Sequence, residues 1–224
     1  MDDSSGGPKD TTREQLLGAA AHHFAVKPYP LVSLDDILAD AGLAKSAMYS
    51  QFESKYALAQ AIVELRVSRG RAVIEDLAAH KLSGLHSLIE MTYRIAVQDI
   101  NDEVARAGLH LLESMGRTTA LQERLLGDWV KARARIVRRA IADGDVVART
   151  DPEDLAQVLV SLYMGLLQTT DLDIPGQLLG NLERSWLVLL PAFADPDRVE
   201  HFAELVRQRT AQAIAQTTDR GAAG

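Results

Sequence analysis

The residue that most constrains how this chain can fold is Gly42, because of what stands on either side of it. Ahead of it Leu34, Ile37, Leu38 and Ala41 recur at helical spacing, so one face of a short helix is apolar and must be buried. Ser33 stands where an N-cap is wanted, with Asp36 three residues on as a shortened capping-box acid. A glycine at the end of such a stripe can take the left-handed conformation that closes a helix and starts a turn. A second helix follows at once, over about Ala44 to Gln51. It is too short to be stable alone, so Met48 and Phe52 must hold it against its neighbours.

The other side chains of that second helix, Lys45, Ser46, Ala47, Tyr49, Ser50 and Gln51, are small, polar or hydrogen-bonding. Phosphate oxygens call for cations and hydroxyls, and base edges for Gln, Ser or Lys, so such a helix suits a DNA major groove. This predicts a helix-turn-helix, with Ser33, Ala44, Lys45, Ser46, Ala47, Tyr49, Gln51 and Lys55 as candidate DNA-contacting residues. An ordinary helical hairpin satisfies the same spacing, and the pattern alone leaves both open.

The segments TREQLLGAAAHHF and SLDDILADAGLAKSAMYSQFESKYALAQAI closely resemble the N-terminal DNA-binding domain of TetR-type transcriptional repressors in order, spacing and content. The resemblance implies double-stranded DNA carrying a palindromic operator as one partner, a second copy of the chain as another, and a larger domain that responds to a small molecule. It departs from the family at Ala44, where Ser or Thr is usual, at Ser46 for a frequent glycine, at Gln51 for a frequent histidine, and at Pro28 for a frequent glycine. Ala44 removes an N-cap bond, and the four together leave the operator sequence open.

The net charge of −7 argues at first against nucleic acid. In the first part of the chain Lys9, Arg13, Lys27, Lys45 and Lys55 face eight acids, so the DNA reading rests on where Lys45 and Lys55 are placed. Few phosphate contacts per subunit follow, and two subunits are needed. No cysteine is present, which excludes disulfides and thiolate chemistry, and the start MDDSSGGPKD has no apolar segment of the secretory kind. The longest apolar runs, such as Leu159 to Leu167, are far short of a membrane span. A soluble cytoplasmic protein is expected, with no cofactor, no metal site and no membrane partner. His22 and His23 are adjacent and so lie on different faces of a helix.

No segment alternates with period two, so the expected fold is all-α, of about nine or ten helices. An N-terminal three-helix helix-turn-helix domain, residues 11–55, is joined by a long helix, Lys55 to about His80, to a C-terminal helical bundle, with ligand binding and dimerisation assigned to residues 56–218. Residues 1–10 and 219–224 are expected to be disordered tails. The first helix is expected over Thr12 to Val26, and those after Ser83 over about 85–100, 102–115, 119–143, 152–172, 175–193 and 196–217, punctuated by Gly84, Gly116, Gly144, Pro152, Pro175 and Pro196.

Aromatic residues make up only 5% of the chain, so Trp129 is informative. It shares a stripe with Leu125, Ala132 and Ile136 and points inward, either as core or as the wall of an apolar cavity with Met91, Ile95, Leu112, Met115, Leu162 and Tyr163. Within the TetR family the chain resembles the γ-butyrolactone autoregulator receptors, whose pocket carries a tryptophan in this helix; that implies a lactone-like effector at Trp129, with Gln98, Gln168 and Thr169 as polar contacts. The helices at 152–172 and 175–193 carry more apolar surface than one bundle face needs, which predicts a two-fold homodimer through them. Lys131, Arg133, Arg135, Arg138 and Arg139 are expected on an outer face, paired with acids. No HExxH, phosphate loop or nucleophile elbow is present, so an enzyme is not expected. A helical carrier of apolar small molecules is the other alternative.

Overall fold

The computed structural model describes residues 8–115 and 121–221. The break expected at Gly116, a helix start at Thr119, and residues 1–7 and 222–224 of the expected tails lie outside those residues. Among the described residues are ten α-helices and one short 3-10 turn: α1 (Pro8–Val26), the turn Tyr29–Leu31, α2 (Leu34–Ala41), α3 (Lys45–Gln51), α4 (Lys55–Ala79), α5 (Gly84–Asn101), α6 (Glu103–Met115), α7 (Leu121–Ala142), α8 (Pro152–Thr169), α9 (Pro175–Phe193) and α10 (Val199–Gly221). The fold is all-α, and a lone bridge between Val146 and Ala194 is the extent of β pairing among the described residues.

Both outermost helices run beyond the expected boundaries. Helix α1 opens at Pro8, four residues early, and α10 continues past Thr217 to Gly221. Conversely, α10 starts at Val199 rather than Pro196. The Asp195 carboxylate accepts from the Asp197 N–H (3.0 Å) and its carbonyl from the Arg198 N–H (2.9 Å), which makes Asp195–Arg198 a turn.

The chain forms two compact units, one of Met1–Arg69 with Asp102–Glu123 and the other of Gly70–Asn101 with Arg124–Gly224. The first is larger than the 11–55 domain drawn from sequence, because it takes in the first part of α4 and all of α6. In it α1 packs on α2, α3 and α6, and the Tyr29–Leu31 turn packs on α6. Leu16, Ala20, Phe24, Ile37, Met48, Leu58 and Ile62 are fully buried. Each large apolar side chain of this kind stabilises the fold by about 1.5–3 kcal/mol. Polar contacts fix α6: Arg66 Nε donates to the Ala105 carbonyl (3.2 Å), Arg69 pairs with Asp102, and His110 Nδ1 lies 3.2 Å from the Phe24 carbonyl.

In the second unit α5, α9 and α10 pack together around Leu85, Leu88, Ile89, Leu178, Leu182, Trp186, Leu190, Phe202 and Val206. One end of this bundle is tied at Asp145, which is fully buried. Its carboxylate accepts from the Leu85 N–H (3.0 Å) and pairs with Arg198, its carbonyl accepts from the Asp195 N–H (2.9 Å), and Asp143 Oδ2 accepts from the Gly84 N–H (2.8 Å). The first turn of α5 thus has its otherwise orphaned donors satisfied by carboxylates, which its positive end also favours. Gly84 is required by space: a Cβ there would lie 2.2 Å from the backbone nitrogen of Ala140.

Half-buried His86 lies one turn before Glu90, whose carboxylate pairs with Arg94 (2.9 Å) and Arg209 (2.6 Å). Burial, reinforced by the Arg209 and His201 charges and opposed by Glu90 and Asp145, holds the His86 imidazole below its usual range. The basic cluster on α7 departs from expectation at one position. Arg138 pairs with Glu153 and Arg139 lies 4.0 Å from Asp143, as an outer face should, but Arg133 is buried.

Two outcomes follow. Gly84→Ala must push α5 off α7 and is expected to destabilise the protein by about 1–3 kcal/mol, read as a lowered midpoint of thermal unfolding, whereas Gly127→Ala, with open space around its Cβ, should not. For His86 the folded state binds its proton less readily than the unfolded chain, so stability present above about pH 6.5 is lost as the pH falls below it. His86→Gln should therefore lose less stability between pH 7.5 and pH 5.5 than the parent, measured by melting at both.

Candidate nucleic-acid interface

Gly42 does close α2. It sits at φ 65°, ψ 30°, and its N–H and that of Leu43 return to the carbonyls of Ala39 (3.2 Å) and Leu38 (3.0 Å). At the other end Ser33 Oγ accepts from the Asp36 N–H at 2.9 Å. The hydroxyl of Ser33 is therefore engaged in capping α2, and what it offers DNA is its remaining lone pair and proton. The turn is three residues long, and α3 begins at Lys45 with Ala44 as an N-cap that supplies no side-chain bond.

Within α3 Met48 is fully buried, and Phe52, which caps its C-terminus, is buried too. The Arg13 guanidinium lies 5.0 Å from the Phe52 ring centre. With those two side chains inward, Ala44, Lys45, Ser46, Tyr49 and Ser50 are exposed and Ala47 and Gln51 half-exposed. Tyr49 is 56% exposed, which is far from a core tyrosine. Ser50 Oγ donates to the Ala47 carbonyl (2.7 Å) and Gln51 Nε2 to Ser50 Oγ (3.4 Å), so the two are linked to each other and to the helix. Lys45 Nζ lies 3.4 Å from Asp35 Oδ1 on α2, a pairing the sequence reading did not anticipate.

Lys55 is turned toward its own unit. Its ammonium donates to the carbonyls of Tyr29 (2.9 Å) and Val32 (2.8 Å) and lies 4.2 Å from the centre of the Tyr29 ring. Burial lowers its pKa from the ordinary lysine value. An ammonium has three donors; two are on carbonyls and the aromatic face takes much of the rest, so in the free protein Lys55 fastens the loop ahead of α2. Sequence could place it at a helix start but could not show where a four-carbon stem reaches.

The candidate effector residues are divided between the two units. Met91, Ile95, Trp129, Leu162 and Tyr163 belong to the second unit, whereas Leu112 and Met115 lie buried on α6 in the first. Trp129 is half-buried, and the Tyr163 hydroxyl donates to the buried Asp99 carboxylate at 2.8 Å. Gln168 and Thr169 are exposed, and Thr169 Oγ1 bonds back to the Gly165 carbonyl (2.9 Å), so neither is held in an apolar interior. Among the described residues no cluster of three or more His, Asp or Glu could hold a metal, and no helix is long and apolar enough to cross a membrane.

Residues 16–62, which span α1 to the first part of α4, match the family of bacterial regulatory proteins, tetR family. Over that segment the chain is similar to the TetR family. The chain is 29% identical over 191 residues to the A-factor receptor protein of Streptomyces griseus, a match covering 85% of this chain and 66% of that one. Among solved structures it is similar to a gamma-butyrolactone receptor (ArpA-like protein), with a TM-score of 0.79 and 25% identity over 91% of this chain and 98% of that one. It is also similar to the TetR family protein CprB from Streptomyces coelicolor in complex with its biological operator sequence, with a TM-score of 0.77, 26% identity and the same coverage. These relatives are regulators and receptors rather than enzymes.

If Lys55 is a loop fastener, Lys55→Met should destabilise the regulator by about 1–3 kcal/mol through the unmade hydrogen bonds. Chemical unfolding of the variant beside the parent checks this.

Proposed function

We propose that this regulator is a ligand-responsive DNA-binding protein, a repressor released from a palindromic operator by a small apolar effector of the γ-butyrolactone kind. The observation that carries the reading is the division of α3: Met48 and Phe52 are buried, and the face bearing Lys45, Ser46, Tyr49 and Ser50 is left to solvent. A groove-reading helix needs that division, with hydroxyls and a cation outward and its register fixed from beneath. The operator complex of CprB and the receptor relatives support the same reading. DNA as the partner implies a cytoplasmic address.

A homodimer supplies the second recognition helix, about 34 Å away on one face of a palindrome. The surface for it is narrower than the sequence suggested. Leu155, Leu159, Leu178, Leu182, Trp186 and Leu190 are buried in the core of their own unit, because α8 and α9 pack on each other and α9 packs on α5 and α10. Outward apolar surface comes from Val158, 48% exposed, and Val188, 77% exposed, with Leu166 and Leu189 half-buried. The dimer contact is assigned to these. The effector is assigned to the neighbourhood of Trp129, with Met91, Ile95, Leu162 and Tyr163 as further contacts. Binding it in preference to the operator-competent conformation by about 1–3 kcal/mol lowers operator affinity several-fold to a hundredfold.

Lys45→Ala is expected to weaken binding to an inverted-repeat duplex and to reduce the slope of log affinity against log salt by about one, as for loss of one phosphate contact. Tyr49→Phe should weaken binding with the slope unchanged. Gel shifts over a salt series check both, and unchanged affinity in the pair rejects α3 as the recognition helix. Trp129→Ala should retain DNA binding while shifting a γ-butyrolactone titration of the complex to higher concentration.

A further inference from the structure

Between Ser33 and Gln51, over the whole of α2 and α3, Lys45 is the one lysine or arginine, against Asp35, Asp36 and Asp40. The neighbouring cations are engaged elsewhere: Lys55 on the carbonyls of Tyr29 and Val32, and Arg13 beside the Phe52 ring. Asp40 lies 3.5 Å from His23 Nε2, and the Asp36 N–H serves the Ser33 cap. Asp35 alone of the three acids reaches Lys45, at 3.4 Å, and its side chain is 81% exposed and that of Lys45 59% exposed. The single cation of the proposed reading surface is therefore held by a carboxylate on the same surface.

We propose that Asp35 is a specificity residue that sets the ratio of operator to non-operator binding. It deepens the DNA-binding reading above and rests on it. In the free protein the carboxylate holds the Lys45 ammonium. When Lys45 moves to a phosphate, Asp35 is left as a negative charge facing a duplex that is itself negative. Non-operator DNA offers phosphates everywhere but no hydrogen-bond donor in a fixed register, so there the charge is unpaired and repelled. An operator can place the exocyclic amino group of a cytosine, or of an adenine, opposite the carboxylate, and these are the base-edge donors of the major groove. Sequence-independent affinity is suppressed, since it depends almost wholly on phosphate neutralisation, and operator affinity is suppressed less.

The test uses full-length protein, an inverted-repeat duplex that the protein itself selects from a random pool, and a shuffled duplex of the same length and composition. Asp35→Asn keeps the shape and removes the charge. It should raise affinity for the shuffled duplex by about three- to tenfold and steepen its salt slope by roughly one, while affinity for the selected duplex rises less or falls. In a Lys45→Ala background the gain on the shuffled duplex should shrink, because no ammonium is left to release and only the repulsion of the carboxylate by the phosphates is relieved. Equal shifts on both duplexes, no shift on either, or an undiminished gain without Lys45 overturns the proposal while leaving DNA binding in place. A parent protein that selects no duplex at all overturns the DNA-binding reading itself, and this proposal with it.

Discussion

A helix of seven residues has no stability of its own, and the interface described here depends on how α3 is nonetheless held still. Fixing its backbone dihedrals is opposed by chain entropy that its few internal hydrogen bonds do not offset. What holds it is burial of Met48 from within and of Phe52 at its end, together with the left-handed turn at Gly42 that delivers it from α2. Both anchors lie on one side, so the opposite side is fixed in register and left to solvent, with the Lys45–Asp35 pair reaching across to α2. That is the condition under which Lys45, Ser46, Tyr49 and Ser50 can meet a rigid partner with little further loss of freedom.

Electrostatics act on this surface by placement rather than by amount. The chain carries a net −7, and of the lysines closest to the helix-turn-helix one is turned inward onto the carbonyls of Tyr29 and Val32 and the other is paired with Asp35. A protein built this way gains little from long-range attraction to DNA, and on the proposed reading its discrimination comes from the fit of hydroxyls, an amide, a phenol and the Asp35 carboxylate to one groove. Low indiscriminate affinity is an advantage for a regulator that must find few sites among very many.

Much of this was legible in the amino-acid order because it is local. The stripe Leu34, Ile37, Leu38, Ala41, the cap at Ser33 and the stop at Gly42 are decided within ten residues, and the structure has them as the spacing predicts. Trp186, Leu178 and Leu182 were equally visible as apolar but not as buried within one chain, since periodicity marks a face that must be covered and is silent on what covers it. Lys55 and Arg133 misled for a related reason: a long cationic side chain is assigned to solvent by type, and its stem can instead carry the charge to an internal partner. Leu112 and Met115 were grouped with Trp129 by apolarity, and they are buried on a helix that also packs on α1.

The unit that holds the helix-turn-helix is assembled from two separate stretches of chain, with α5 running between them in sequence. Helix α6 packs along α1, and the ties of Arg66 to Ala105, Arg69 to Asp102 and Tyr29 to Ser114 all cross from the first stretch to the second. A fragment ending after Arg69 would have the whole family-matching segment and still expose the α1 surface that α6 covers. The reading head of this protein is for that reason not a detachable module, and domain-swap chimeras with other regulators will keep their shape only if the junctions carry both stretches together.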